Sequence, residues 1–538
     1  MYECPSCGSS LHFDIPSQKL LCDHCNTSLD PYQYQKDHDV EENTMYDVTV
    51  FTCPQCGGEI LSAETSVASF CSFCGASAIL DSHIRNEKRP GFIIPFKKTK
   101  KDCRDAYQHM MRHALFAPKE LKDPEYIDHF RGIYIPYWVY IVSQKGNVSL
   151  DGTQCYRSGD YMITDHYNLN CNLDASYKGI SYDASSSFDD HISETIAPFD
   201  SHDMQPFTPS ILCGFYADTA DVNSDLYTSD AKDFADTETS KQLTGCSAFS
   251  GYQIKMPDPE LQLDSVLGTD CERTDSAMFP IWFLTYRKKD RVAYAIVNGQ
   301  TGKVSADLPV DEKKYIAGSL LLALPVFLLL NLFLSLKASS VLILGALLAL
   351  VTSIIYLLNL ESIRHRETHD DDRGYTSTQP DSAGQSAPSR KQTKKWNTGA
   401  WKSSFQTGKL VTYIIIGIFL FQFLFSGILN AARLLSHFSG ISFFLLAIAA
   451  GFGIRGWMLT RKLPGRHILP ELSGSLLAVL VSCLITVMHP VSDIYYYGGT
   501  ILAFAGICFT LLGIMKKYNI LSTRPLPQFN RQGGNDRA

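Results

Sequence analysis

Positive charge is scarce at the front of this chain. Residues 1–89 hold 5 Lys and Arg against 13 Asp and Glu, and residues 90–315 hold 23 against 33. Phosphate binding needs a basic footprint, so the deficit argues against nucleic acid as a partner of the first 315 residues. Catalytic signatures are missing too. No H-E-x-x-H, G-x-S-x-G, Walker or dinucleotide-binding motif occurs in residues 90–315. Charge is also absent from the centres of six apolar runs, at 316–336, 341–360, 410–429, 441–459, 472–488 and 494–515. Ion-coupled transporters usually carry intramembrane ionisable groups, so this lowers the case for transport. Arg455 and Glu471 lie at run ends, where snorkelling accounts for them.

What the front does have is cysteine. Eight of the 16 Cys fall in four C-x2-C pairs, and Cys4, Cys7, Cys22 and Cys25 recur 49 residues later as Cys53, Cys56, Cys71 and Cys74. Two sulfurs from one tight turn and two from a second close a tetrahedron around one ion. The repeat therefore predicts two structural Cys4 sites, each holding one Zn2+; the spacing alone also admits iron. A disulfide scaffold fits C-x2-C repeated four times much less well. Gly8, Gly57 and Gly75 follow knuckle cysteines, where a residue without Cβ frees the backbone to turn. Residues 10–15 and 18–21 read as two strands about Pro16-Ser17. Each module is too small for its own core, so metal must supply its folding energy. The other eight cysteines have no ligand spacing and read as free thiols of a reducing compartment.

Residues 90–315 read as one α+β domain. Helical spacing covers 102–115, strands are expected at 132–142 and 278–286, and 292–297 leads into the glycine turn Asn298-Gly299-Gln300-Thr301-Gly302. Ile135-Pro136-Tyr137-Trp138 and Phe279-Pro280-Ile281-Trp282 share a pattern that suggests two related halves. Asp183, Asp189, Asp190, Asp200, His166, His191 and His202 are expected as surface or capping groups.

The rest is basic and apolar. Each of the six runs approaches the ~20 residues that cross a bilayer. Lys and Arg number 17 in the loops 361–409, 460–471 and the tail from Lys516, against 2 in the alternate loops. That bias predicts six spans with both termini in the cytoplasm, in a multi-pass inner membrane protein. Residues 361–409 read as a disordered loop, and its Lys391, Lys394, Lys395, Trp396, Trp401 and Lys402 suit anionic lipid headgroups. His365, His369 and Asp370–Asp372 read as a solvated patch rather than a metal cluster. The fold class is thus multi-domain: two small Cys4 zinc ribbons, an α+β cytoplasmic domain and an all-α transmembrane bundle. The boundaries are 1–30 ribbon one, 31–50 linker, 51–89 ribbon two, 90–315 the α+β domain, 316–360 a helical hairpin, 361–409 the loop, 410–515 four further helices and 516–538 a tail.

Cys4-Pro5-Ser6-Cys7-Gly8, Cys53-Pro54-Gln55-Cys56-Gly57, Ile93-Ile94-Pro95-Phe96, Tyr134-Ile135-Pro136-Tyr137-Trp138, Ile196-Ala197-Pro198-Phe199-Asp200 and the 298–302 turn together resemble a bacterial family of zinc-ribbon membrane proteins, often compared with the ribbon of transcription factor IIB. The resemblance spans residues 1–315 and the first helical hairpin. It implies a scaffold that recruits protein partners at the cytoplasmic face, as in phage-shock-type envelope-stress systems, and brings no catalytic residues. The expected function is a membrane-anchored adaptor. The alternatives are a transporter or membrane-enzyme subunit, and a membrane-tethered nucleic-acid binder.

Overall fold

The computed structural model describes residues 2–38, 45–62, 71–76, 81–255, 268–333, 337–369, 372–377, 434–461 and 470–527. The expected span at 410–429 and the six Lys and Trp residues expected at lipid headgroups lie outside these.

The chain opens with strands β1 (Leu11–Asp14), β2 (Lys19–Cys22) and β3 (Ser28–Leu29), a three-stranded antiparallel sheet of its own. Asp14 fixes the first turn by accepting from Ser17 N and Oγ at 3.0 and 2.6 Å, and Gln18 takes φ 55° to close it. Within the stretch expected as a linker, Pro31–His38 forms helix α1 and Met45–Thr52 forms strand β4. β4 pairs with β5 (Glu59–Ser62) on one side and β6 (Asp81–Lys88) on the other.

Next come β7 (Phe92–Ile93), helices α2 (Lys100–His113) and α3 (Pro124–Ile127), and the long hairpin β8 (Arg131–Ser158) and β9 (Tyr161–Asp183). They are followed by α4 (Asp190–Ile196), β10 (Gln205–Pro206), β11 (Tyr216–Ala217), α5 (Thr228–Thr244), β12 (Gln253–Lys255), β13 (Asp270–Lys288), β14 (Arg291–Asn298) and β15 (Val304–Ala306). α2 starts at a capping box between Thr99 and Asp102 and buries Cys103, Tyr107 and Met111, one turn apart.

One plan is used twice: short strand, helix, long hairpin. β7-α2-β8-β9 matches β11-α5-β13-β14. β8 and β13 lie side by side, antiparallel, with Ile135 opposite Phe279, so the two proline motifs face each other across a local two-fold axis. The short strands are exchanged. β11 runs parallel to β8 beside Ile133 and Tyr134, and β7 runs parallel to β13 beside Ala277 and Met278. The details repeat. Trp138 Nε1 donates to Val222 O and Trp282 Nε1 to Lys98 O, both at 2.9 Å. Pro136 O accepts from Ala184 N at 2.8 Å and Pro280 O from Gly299 N at 2.9 Å. Each proline sits where its strand's neighbour changes, from β11 to β9 or from β7 to β14, so its missing N–H costs no ladder bond. Alternate residues of β8 and β13 feed two apolar cores. Tyr134, Met278 and Trp282 pack with α2, while Ile135, Tyr137, Phe279 and Ile281 pack with Ile192 and Ile196 of α4.

Beyond Ser143, the last β8 residue paired with β13, the β8–β9 hairpin runs on as an arm braced by α5 and β12. Its tip exposes Tyr156, Tyr161 and Met162.

The helical part comprises α6 (Glu312–Phe333), α7 (Ala338–Glu367), the short α8 (Arg373–Ser377), α9 (Leu434–Arg461), α10 (Pro470–Met488) and α11 (Asp493–Leu521), ending in strand β16 (Arg524–Pro525). Among the described residues, four helices are long and apolar enough to cross a membrane: Glu312–Leu330, Ala338–Glu367, Glu471–Met488 and Asp493–Leu521. α10 and α11 approach most closely at glycines. A Cβ on Gly474 would lie 2.4 Å from Gly506 O, so only glycine permits this spacing. The residues expected as loop from 361 onward are helical as far as Glu367 and again at Arg373–Ser377. Glu471 does not snorkel. Its side chain is 16% exposed, accepts from Tyr356 Oη at 3.0 Å and lies 3.9 Å from Lys517 Nζ between the packed helices. Arg455 is exposed and pairs with Glu361 at 2.8 Å.

Candidate metal centres

Each cysteine tetrad draws its four sulfurs within 4.8 Å of one another, a group that could hold a metal ion. The turns that do this are alike at all four knuckles. Gly8, Asn26, Gly57 and Gly75, each directly after a pair's second cysteine, have φ of 72°, 56°, 72° and 69°. Their N–H groups donate to Cys4 O, Cys22 O, Cys53 O and Cys71 O at 2.8, 2.9, 2.8 and 3.0 Å. The left-handed conformation favours glycine and tolerates asparagine, so Asn26 does at its knuckle the work of the glycines at the other three. At Gly75 a Cβ would also press on Arg287 Cβ at 3.2 Å.

The donor set fits a four-coordinate ion. Sulfur–sulfur separations are 3.5 Å for Cys4–Cys25 and Cys7–Cys22, and 3.7 Å for Cys53–Cys74 and Cys56–Cys71. A tetrahedron of ~2.3 Å metal–sulfur bonds has edges of about 3.8 Å.

The two centres differ in surroundings. In the first, Cys7 and Cys25 are exposed; in the second, all four cysteines are buried. The first sits on the small sheet, where Cys4 and Cys22 pack with Leu11, Phe13 and Leu20 into the core that holds Tyr107 and Tyr134, and Phe13 N donates to Cys213 O at 3.0 Å and Gln18 Nε2 to Phe96 O at 2.8 Å. The hydroxyl of Thr27, 2.9 Å from Cys25 Sγ, pulls that thiol down to about 6. The second centre is packed with Phe51, Ile60 and Phe73 as a core of its own, and its strands join the main sheet because β5 pairs with β11. Tyr294 Oη donates to Phe73 O at 2.7 Å, tying it to β14.

Of the acidic residues marked in the sequence, Asp189 caps α4 and Asp200 caps the turn at Ser201–Asp203, as expected. Asp183 and Asp190 are not surface groups. Asp183 is 2% exposed and its Oδ2 has no hydrogen-bond partner. Burial, then the nearby Asp190 and Asp372, push its carboxyl far above the usual range. Asp372, expected in a solvated patch, is buried at 6% exposure. No linear motif marks this cluster. Asp183 ends β9 as Asn298 ends β14, but the two hairpins differ so much in length that the match cannot be seen in sequence.

A third cluster joins the sheet domain to the long helices. Arg291 pairs with Glu367 at 3.0 Å and donates to Thr523 Oγ1, Ile520 O and Thr523 O at 2.7, 2.9 and 3.0 Å. Arg366 pairs with Asp307 at 3.0 Å and donates to Leu521 O. Arg524 lies against the Tyr294 ring and pairs with Asp189 at 2.5 Å. β16 then adds to the sheet beside β14.

No family model matches the chain, and no solved structure matches it. It is 25% identical over 334 residues to a Bacillus subtilis (strain 168) protein whose name reads "Uncharacterized protein YdjG", covering 60% of this chain and 96% of that protein.

Proposed function

We propose that the protein is a membrane-anchored adaptor that holds two Zn2+ ions and presents its sheet domain to protein partners at the cytoplasmic face. The observation that carries this reading is the buttress at the helix ends. Three arginines and an added strand clamp the sheet domain to α7 and α11, which suits a surface held at fixed orientation rather than one on a free tether. Four thiolates closing each metal centre leave no open position for substrate or metal-bound water, which supports a structural role. Zinc is favoured over iron because it is the usual ion of structural Cys4 sites. The basic bias of alternate loops supports cytoplasmic termini, and Lys391, Lys394, Lys395, Trp396, Trp401 and Lys402 supply contacts to anionic lipid. Residues 1–315 carry 28 Lys and Arg against 46 Asp and Glu, so a basic partner would be drawn in by steering that weakens with salt.

The test is affinity capture of the full chain from native membranes at low and high salt, with a nuclease-treated control. Salt-sensitive capture of one basic protein supports the adaptor. Nucleic acid recovered without protein, or turnover by the purified chain, overturns it. One observation favours transport as a second reading: Glu471, Tyr356 and Lys517 lie between the helices, Glu471 and Tyr356 one turn from Ser475 and Ser353, and Lys517 two turns from Thr510. Labelling of a Ser475→Cys variant by a membrane-impermeant thiol reagent would reveal a water path and favour it.

A further inference from the structure

The segment that follows α7 returns to the sheet domain through one arginine. Arg373 N donates to Asp190 Oδ2 at 2.9 Å, Nη1 pairs with Asp230 and Nη2 donates to Leu226 O at 2.8 Å. The guanidinium lies 5.5 Å from the centre of the Tyr227 ring. Tyr227 is itself fixed: its hydroxyl donates to Asp190 Oδ1 at 2.7 Å and its ring stacks on Tyr182 at 5.1 Å and 8°. The next residue is Gly374. A Cβ there would lie 3.3 Å from Tyr227 Oη and 3.5 Å from both Asp190 Oδ1 and Val222 Cγ2.

Every group that reads Arg373 belongs to the sheet domain: α4, the turn before α5, and α5 itself. The features read are a planar forked cation, a π-stacking face and a following residue with no side chain. A carboxylate, a carbonyl and an aromatic face arranged this way select arginine over lysine. α8 has 5 residues, too few to hold a helix alone, so its order comes from these contacts.

We propose that Asp190, Leu226 O, Tyr227 and Asp230 form an arginine–glycine recognition notch, with Arg373-Gly374 of the same chain as its resident ligand. The notch holds the start of the loop after α7 against the sheet domain, and it binds the same element in trans once the resident is removed. This assignment stands apart from the adaptor reading, since it rests on contacts within one chain.

The experiment uses the full chain in detergent. Amide hydrogen exchange is measured in wild type and Arg373→Ala, together with binding of a labelled peptide covering residues 370–378. In Arg373→Ala, exchange at 373–377 should rise at least tenfold while β8 and β13 stay unchanged. That variant should bind the peptide and wild type should not. A peptide with Lys in place of Arg should bind at least tenfold more weakly, and adding Asp230→Asn should abolish binding. Unchanged exchange at 373–377 overturns the proposal. So does a parallel rise in β8 and β13, which would make the contact part of the core, and so does failure of the variant to bind the peptide. Should Arg373→Ala not fold, Arg373→Lys takes its place: without the fork that reaches both Asp230 and Leu226 O it must raise exchange at 373–377, and unchanged exchange there again overturns the notch.

Discussion

Asp183→Asn should stabilise this protein, and more so at higher pH. Asp183 ends β9, is 2% exposed, and has an Oδ2 without a hydrogen-bond partner. Facing it are the carboxyls of Asp190 and Asp372, the Tyr227 phenol and Ser193, whose Oγ lies 2.8 Å from Tyr137 Oη. Burial and the two carboxylates raise its folded-state value above the unfolded one. The native state therefore binds the extra proton. Its stability contribution is complete below the unfolded value and is lost as pH rises through the folded value. The pseudo-symmetric position already holds the neutral residue. Asn298 is fully buried, donates to Ile196 O and Pro198 O at 3.0 and 3.3 Å, and accepts from Gln300 N and Thr301 N at 2.9 Å. Asn at position 183 stays neutral at every pH and escapes that loss, about 1.4 kcal/mol for each unit of pH between the unfolded and folded values, so its advantage should be a few kcal/mol near pH 8 and much less near pH 5. At about 2–4 °C per kcal/mol, the shift is readable by thermal unfolding of the detergent-solubilised chain at both pH values. Equal shifts at pH 5 and 8, or a lower Tm at pH 8, would refute the reasoning.

The two metal centres should separate under chelation. The first, with Cys7 and Cys25 exposed, should lose its ion to a chelator well before the second, as read by released zinc and by mass-tag labelling of thiols. Cys22→Ser and Cys71→Ser should each lower zinc content from two per chain to one and lower the Tm, because Cys22 packs in the main core and the strands of the second centre pair into the main sheet. Arg291→Ala leaves the nearly buried Glu367 unpaired; allowing for the 29% exposure of Arg291, it should cost about 2 kcal/mol and speed proteolysis between the sheet domain and α11. A cysteine at Ser339 or Ser439 should react with an impermeant reagent from outside intact cells and one at Ser386 should not; the opposite pattern overturns the proposed topology.

The cysteine turns were legible because their chemistry is local. Four C-x2-C pairs fix where the sulfurs meet, and the structure repeats one knuckle four times. Four of the six apolar runs were legible for a similar reason, since length and composition alone define a helix able to cross hydrocarbon. The Pro-x-Trp echo at 136–138 and 280–282 was a true trace of the duplicated fold, but it could not reveal the strand exchange that places β7 beside β13 and β11 beside β8. Pairing between strands so distant in sequence is set by the two-fold packing and leaves no periodicity to read. Glu471 departs from the snorkelling expected of a residue at a run's end because its side chain packs on Gly513 of α11, beside Lys517 and between the helices.

The duplication also locates where the two halves have parted. Their shared parts are structural: the prolines at the neighbour switch, the Trp donors and the hairpin ends. At the end of β14, Asn298 satisfies its own loop, with Gln300 reaching back to Asp200 N and O at 2.8 and 3.0 Å. At the end of β9, that neutral, self-contained arrangement is replaced by Asp183, Asp190 and Asp372, and by an arginine brought from beyond the long helix α7. A carboxylate cluster of this kind costs stability when fully ionised. The half that carries it is also the half that takes hold of the chain on its way out of the helices. Changes to the notch should therefore alter the position of the loop after α7 while leaving the β13–β14 half, and the metal centre tied to it, intact.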